Sequence, residues 1–135
     1  MTREDKELLL KDLCARLPYG VKIQVPYEDG SGYFDETVWE VNNDGPFHVN
    51  GYGIEYEYVK PYLFPLSSMT EEQEREYNTL RDFVYSHHYE YEDIVEDMGL
   101  YDNWISIDYL NAHHFDYRGL IEKGLAIDAT GLNIY

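Results

Sequence analysis

The chain has 135 residues with 27 acidic and 10 basic side chains, a formal charge of −17 at pH 7. A field of this sign repels nucleic acid, anionic lipid and phosphorylated substrates, which excludes direct nucleic-acid and membrane-surface binding as leading functions. The length suits one domain, and an aromatic fraction of 16% is too high for a disordered acidic chain, so residues 1–135 are interpreted as one folded domain.

The N-terminal part of that domain, residues 1–20, predicts an amphipathic helix over 3–17. Thr2 is a suitable N-cap, and Pro18 and Gly20 are typical of a helix end. Apolar side chains recur at helical spacing at Leu10, Leu13, Cys14 and Leu17. This pattern makes Cys14 a buried core thiol rather than a reactive one, and a single cysteine forms no intrachain disulfide. The sequence shows neither a signal-peptide pattern nor an apolar run of membrane-spanning length, so we expect a cytoplasmic protein.

In residues 21–66 the apolar period changes to two, which is typical of half-buried strands. Turn-forming residues separate the strands that the pattern predicts, around 21–25, 37–42, 47–49 and 54–58. Four short antiparallel strands in chain order form a meander, either a small SH3-like barrel or a curled sheet. The two prolines of residues 60–65 favour an extended connector that crosses this sheet.

Residues 67–135 predict a cluster of short helices. Ser68-Met69-Thr70-Glu71 has the pattern of a capping box, which opens a helix over 70–86. Further helices are predicted over 90–98, 106–115 and 117–123. The fold class is therefore α+β: an N-terminal helix, a four-stranded antiparallel meander and a C-terminal cluster of short helices.

Two segments of the chain have a distinctive sequence, KPYLFPLSSMTEE over 60–72 and LNAHHFDYRGLIEKGLAI over 110–127. Together with residues 21–25 they resemble small uncharacterised proteins encoded by phages and mobile elements of gut anaerobic bacteria of the Bacteroidetes type. The resemblance implies a genomic setting. It implies no activity and transfers no catalytic residue.

The histidines provide a candidate metal site, because imidazole and carboxylate groups are suitable ligands for zinc or iron. The candidate ligands are His87, His88, His113, His114 and Asp116. Adjacent residues on a helix point about 100° apart, so neither histidine pair suits one metal ion, and structural roles are favoured. Arg118 is expected to pair with Asp116 or Glu122. With no nucleophile pattern, phosphate loop or dinucleotide motif in the sequence, we predict neither a cofactor nor an enzymatic activity.

Acids and tyrosines concentrate in residues 71–101, and residues 71–97 alone hold ten acids against two bases. Exposed tyrosine is favoured in binding surfaces because it offers a large contact area at a small entropic cost. The predicted partner-binding residues are Glu71, Glu72, Glu74, Glu76, Asp82, Tyr85, Tyr89, Glu90, Tyr91, Glu92, Asp93, Glu96 and Asp97.

Three functions follow from these patterns. The leading one is a non-enzymatic acidic interaction module whose 71–101 surface faces a basic protein partner. The alternative is a DNA mimic that occupies a nucleic-acid-binding protein of the host, which needs ordered rows of carboxylates. The second alternative is an enzyme with a composite site of histidines and acids. A homodimer through the first helix or the sheet edge also remains open.

Overall fold

The computed structural model describes residues 2–42, 48–50, 52–53, 59–86 and 104–135. The helices are α1 (Arg3–Arg16), α2 (Glu71–Ser86) and α3 (Trp104–Ala112). The strands are β1 (Lys22–Pro26), β2 (Tyr33–Thr37), β3 (Val41–Asn42), β4 (His48–Val49), β5 (Tyr52–Gly53), β6 (Lys60–Pro65), β7 (Phe115–Asp116) and β8 (Ile127–Asp128). The α+β class with an N-terminal helix is confirmed. Within these ranges, no helix is both long enough and apolar enough to cross a membrane.

Both ends of α1 form as predicted. The Thr2 hydroxyl oxygen accepts a hydrogen bond from the Asp5 N–H at 3.1 Å, which satisfies one of the free donors at the start of the helix. After Arg16 the chain passes through a 3-10 turn at Leu17–Tyr19 and reverses at Gly20, whose φ of +67° lies in the left-handed region that favours glycine.

The buried face of α1 differs from the predicted one. Leu9 and Leu13 are fully buried, and so are the charged side chains of Asp12 and Arg16. Cys14 is exposed, so its prediction as a core thiol is wrong. The helix turns a charged pair toward the sheet, and this rotation carries Cys14 outward to solvent.

The larger sheet is centred on β6. Its order is β2-β1-β6-β7, and β8 also pairs with β6. β1 is antiparallel to β2 and β6, whereas β7 and β8 run parallel to β6. The described strands therefore form an open, mixed sheet. A four-stranded antiparallel meander and an SH3-like closure are not confirmed by this arrangement.

The interpretation of residues 60–65 as a connector is wrong, because this segment is the central strand. Its prolines are tolerated because the residues between them carry the ladder bonds. The Phe64 N–H donates to the His114 carbonyl oxygen at 2.8 Å, and the Leu63 carbonyl oxygen accepts from the Ala129 N–H at 2.8 Å. Pro65 ends the strand, where its missing N–H costs no internal bond.

A second sheet joins β3, β4 and β5 in antiparallel order. The predicted strand at 47–49 is confirmed as β4, whereas the strand predicted at 37–42 is divided. β2 ends at Thr37, where the predicted strand begins, and β3 lies at the end of the predicted range. Between them, Val38 is buried and Trp39 is 63% exposed. The prediction at 54–58 lies outside the described residues. Asn50 holds the bend between Val38 and β3, because its side-chain oxygen accepts the Trp39 and Glu40 N–H groups at 2.7 and 3.0 Å.

α2 confirms the helix predicted over 70–86, but its capping box differs. The Gln73 N–H donates to the Thr70 hydroxyl oxygen at 3.1 Å, and the Gln73 amide oxygen accepts the Thr70 N–H at 2.9 Å. Ser68 instead donates its hydroxyl to the Pro65 carbonyl oxygen at 2.6 Å. The helix predicted over 106–115 is α3, which ends earlier, at Ala112.

The helix predicted over 117–123 is wrong, because residues 117–119 are irregular and residues 120–124 form turns. Both carboxylate oxygens of Asp116 accept backbone N–H groups, from Leu120 at 3.0 Å and from Ile121 at 2.9 Å. This side chain anchors the turns, and Leu120 enters the core fully buried. The helix predicted over 90–98 lies outside the described residues.

Candidate functional site

The acidic face of α2 consists of five carboxylate side chains that are all exposed to solvent. They are Glu71, Glu72, Glu74, Glu76 and Asp82. Tyr85 also belongs to α2. The remaining predicted partner-binding residues lie outside the described part of the chain, and they are Tyr89, Glu90, Tyr91, Glu92, Asp93, Glu96 and Asp97. The structure thus brings the described acids of the predicted surface onto one helix.

The geometry of this acidic face is broad rather than linear. At about 100° per residue, the five acids spread over about 200° of the helix circumference, and at about 1.5 Å per residue they extend along about 17 Å of its axis. This corresponds to about one carboxylate per 3 Å, half the charge density of duplex DNA. Arg75 and Arg81 lie among the acids and are also exposed, so the net density is lower still.

A groove runs beside the acidic face, between α2 and α3. The Tyr109 hydroxyl donates to Glu76 Oε2 at 2.7 Å. Desolvation, together with the carboxylates of Glu76 and Glu72, raises the pKa of Tyr109 to about 12. The groove has a volume of about 640 Å³, and Leu80 contributes an apolar wall. It therefore offers aromatic, apolar and anionic groups side by side, which suits the stem and head of a basic side chain.

A buried ion cluster connects α1 to the segment after β7. Asp12 accepts from Arg16 Nε at 2.9 Å with one carboxylate oxygen and from Arg118 Nη1 at 2.7 Å with the other. Arg16 also donates to the Phe115 carbonyl oxygen at 2.6 Å. The guanidinium carbons of Arg16 and Arg118 lie 5.4 and 4.6 Å from the Tyr117 ring centroid. The expected pairing of Arg118 with Asp116 or Glu122 is wrong, and the cluster has a structural role.

The histidines near β7 occupy different environments. His113 is exposed, and its ring centroid lies 4.2 Å from that of Tyr109. His114 is buried and stacks on Tyr135, with a centroid distance of 3.7 Å and an interplanar angle of 11°. Burial, followed by the charge of Arg16, lowers the pKa of His114 to about 4, so its imidazole is neutral near pH 7.

The candidate metal ligands do not converge in the part of the chain that the structure describes. No group of three or more His, Cys, Asp or Glu side chains there could hold a metal ion. Both carboxylate oxygens of Asp116 are engaged by backbone N–H groups. His87 and His88 lie outside the described residues.

Two features of the folded chain were not predicted: the buried ion cluster and a cavity beside His114. The spacing of Asp12 and Arg16, four residues apart on a helix, was the available signal for the cluster. Neither a protein-family model nor a curated protein matches the chain, and no solved structure matches it.

Proposed function

We propose that the protein is a non-enzymatic interaction module that binds a basic protein partner in the cytoplasm through the acidic face of α2. The observation that carries this proposal is the exposure of all five carboxylates of that face in a chain with a formal charge of −17. Charge of this density accelerates association with a basic partner and makes it depend strongly on salt.

The groove beside the acidic face supports a basic partner in particular. A lysine or arginine side chain of the partner fits with its apolar stem against Leu80 and its charged head between Glu72 and Glu76. The Tyr109 ring adds a surface for cation–π contact. Arg75 also lines the groove, and it favours partners whose own acids can pair with it.

An origin in phages or mobile elements is part of the proposal and depends on the sequence resemblance of residues 60–72 and 110–127. A DNA mimic directed at a host nucleic-acid-binding protein is the second candidate, favoured by the formal charge of −17. The acidic face of α2 supplies about half the charge density of duplex DNA. For this reason the general interaction module is the preferred function.

The test is affinity capture from a lysate of a Bacteroidetes-type gut anaerobe with two charge-matched variants. The first, E71Q/E72Q/E74Q, removes three acids from the acidic face. The control, E28Q/E40Q/E122Q, removes three exposed acids elsewhere, so both variants change the formal charge from −17 to −14. We expect a basic partner that is captured by wild type and the control, is lost with the first variant, and is released by salt.

Equal capture by both variants would contradict the proposal, because it would show that bulk charge and not this face binds the partner. The three glutamates also favour the start of α2 by about 0.3–1 kcal/mol each. Circular dichroism and the thermal midpoint of each variant therefore accompany the capture. Competition with duplex DNA and with polyglutamate of equal charge at fixed ionic strength distinguishes the two candidates. The partner of a mimic should be released preferentially by DNA, whereas any other basic surface binds both polyanions.

A further inference from the structure

A second cavity lies where the carboxyl end of β6 meets β7 and the chain beyond β8. Its volume is about 440 Å³, within the range of small-molecule sites, about 300–1,000 Å³. Phe64, Phe115 and Tyr135 form aromatic walls, and His114 lies among them. The Phe64 ring centroid is 6.3 Å from that of Phe115 and 5.9 Å from that of Tyr135. Such walls favour a flat ligand with a π face.

The lining of this cavity carries no formal charge from acids, lysines or arginines. None of the ten described residues that line it is Asp, Glu, Lys or Arg, although these four types make up 27% of the chain. Its polar side chains include a hydroxyl, a carboxamide and imidazole. A ligand with a net charge would find no partner of opposite sign there, and the field of the whole protein would repel an anion. The composition thus favours an uncharged ligand.

The polar groups at the cavity retain free hydrogen-bonding capacity. The carboxamide oxygen of Gln73 accepts the Thr70 N–H, which leaves its NH₂ group as a donor. The Ser68 hydroxyl donates to the Pro65 carbonyl oxygen, which leaves its lone pairs as acceptors. His114 is only 8% exposed, and its Nδ1 has no hydrogen-bond partner among the described residues. That nitrogen is shielded from solvent, so the polar side chains that offer free hydrogen-bonding groups to a ligand are Gln73 and Ser68.

We propose that this cavity binds a small uncharged heteroaromatic compound of the nucleobase or nucleoside class. The ring stacks against the aromatic walls, as bases do on exposed aromatic side chains in other proteins. Its edge, which carries both donors and acceptors, pairs with Gln73 and Ser68. This site is distinct from the acidic face of α2, and the proposal does not depend on a protein partner.

The test measures the binding of adenosine, guanosine, cytidine and uridine to the full chain by isothermal titration calorimetry and thermal shift. Each matching 5′-triphosphate is measured in parallel. We expect one nucleoside to bind with a stoichiometry of one and to raise the thermal midpoint. Its triphosphate should bind at least tenfold more weakly at low salt, because the phosphates meet no cation in the cavity and are repelled by the protein.

Two variants localise the binding. Gln73→Glu preserves the capping box, since glutamate serves the same role at that position, but it removes the NH₂ donor and adds a charge to the cavity. The matched control Asn78→Asp adds the same charge elsewhere on α2. Ala112→Trp fills the cavity from an exposed position. We expect both cavity variants to lose at least tenfold in affinity while the control binds as wild type.

The proposal is overturned if no nucleoside binds, if only the triphosphates bind, or if both folded cavity variants bind as tightly as wild type. Circular dichroism establishes which variants are folded. Because Gln73→Glu retains the helix cap, it keeps the test decisive even if Ala112→Trp does not fold. The variant E71Q/E72Q/E74Q should bind the nucleoside normally, which separates this site from the proposed protein interface.

Discussion

Replacement of Asp12 by asparagine is the sharpest test of what holds α1 to the rest of the domain. The substitution retains the size of the side chain but removes the carboxylate that Arg16 and Arg118 share at 2.9 and 2.7 Å. The side chains of Asp12 and Arg16 are both completely buried. Arg16 cannot turn to water, and its Nη1 already lacks a partner among the described residues. The variant therefore leaves a buried guanidinium without its counterion.

Breaking a buried ion pair by removal of one partner costs about 3–5 kcal/mol, because the remaining charge is uncompensated. A domain of this size is stable by about 5–15 kcal/mol, so D12N should remove about a fifth or more of the free energy of unfolding. At about 3–4 °C per kcal/mol, the corresponding fall in Tm is about 9–20 °C. Arg118 keeps some contact with solvent, since 15% of its side chain is exposed, and the loss arises mainly at Arg16.

The same helix supplies a matched control. Arg3 and Glu7 form an ion pair at 3.2 Å with the same four-residue spacing, but their side chains are 89% and 67% exposed. Such a pair contributes only about 0.3–0.5 kcal/mol. Urea denaturation followed by circular dichroism should give a loss of at least 3 kcal/mol for D12N and under about 0.5 kcal/mol for E7Q. A loss below about 1 kcal/mol for D12N would refute the reasoning, because the cluster would then not behave as a buried ion pair.

Three further predictions concern the polar side chains of His114, Asn50 and Tyr135. His114 has a pKa of about 4 in the folded chain, against an ordinary value of 6.5. Between those pH values the unfolded chain therefore binds a proton at His114 that the folded chain does not bind. The free energy of unfolding is therefore highest above pH 6.5 and decreases as the pH is lowered, by up to about 2 kcal/mol between pH 7 and pH 5. Urea titrations of H114N should not show this loss. N50A should lower the free energy of unfolding by about 2–4 kcal/mol in the same assay. Asn50 makes three short side-chain hydrogen bonds, and its φ of +53° lies in the left-handed region that disfavours alanine. A loss under about 1 kcal/mol would contradict the role of Asn50 in holding the bend before β3. Y135F should cost about 1–3 kcal/mol, since the Tyr135 hydroxyl accepts a bond from the Lys22 N–H and donates one to the Tyr62 carbonyl oxygen. Y27F should be neutral, because the Tyr27 ring has a similar exposure but its hydroxyl makes no such bonds within the described residues; equal effects would disprove this assignment.

The sequence predicted the limits of α1 better than its orientation. The cap at Thr2 and the reversal at Gly20 depend on neighbouring residues only, so local rules suffice for them. The buried face depends on what lies opposite the helix. An apolar stripe at helical spacing does not include Asp12 and Arg16, because charged residues are almost never fully buried unless they are paired. The apolar stripe instead placed Cys14 in the core, although Cys14 is exposed.

The errors at β6 and after β7 have long-range causes. Prolines normally exclude a segment from the centre of a sheet, and nothing local shows that β7 and β8, over 50 residues later, bond to the residues between Pro61 and Pro65. Arg118 pairs with Asp12 at a separation of 106 residues. A single sequence offers no way to choose this acid over nearer ones such as Glu122.

The two candidate sites also differ in how far the sequence alone predicts them. Composition and helical period were enough to predict that the acids of α2 are exposed, because charged residues on the polar side of an amphipathic helix face water. The uncharged cavity was not predictable, since its walls come from β6, α2, β7 and the segment from Thr130 to Tyr135. Each of these segments is unremarkable alone. Only the parallel pairing around β6 brings Phe64 and Phe115 together.

The distribution of charge affects both proposed binding sites. Asp12 and Asp116 are the buried acids of the described chain, and each is satisfied, by guanidinium groups or by backbone N–H groups. The excess of negative charge is therefore at the surface, where salt screens it over about 8–10 Å. Binding of a basic partner to the acidic face of α2 should weaken steeply with ionic strength, whereas binding of a neutral nucleoside near Gln73 should not change. Because Gln73 lies about 200° around the helix from Glu71, the two ligands can occupy α2 at the same time, and salt alone separates their contributions.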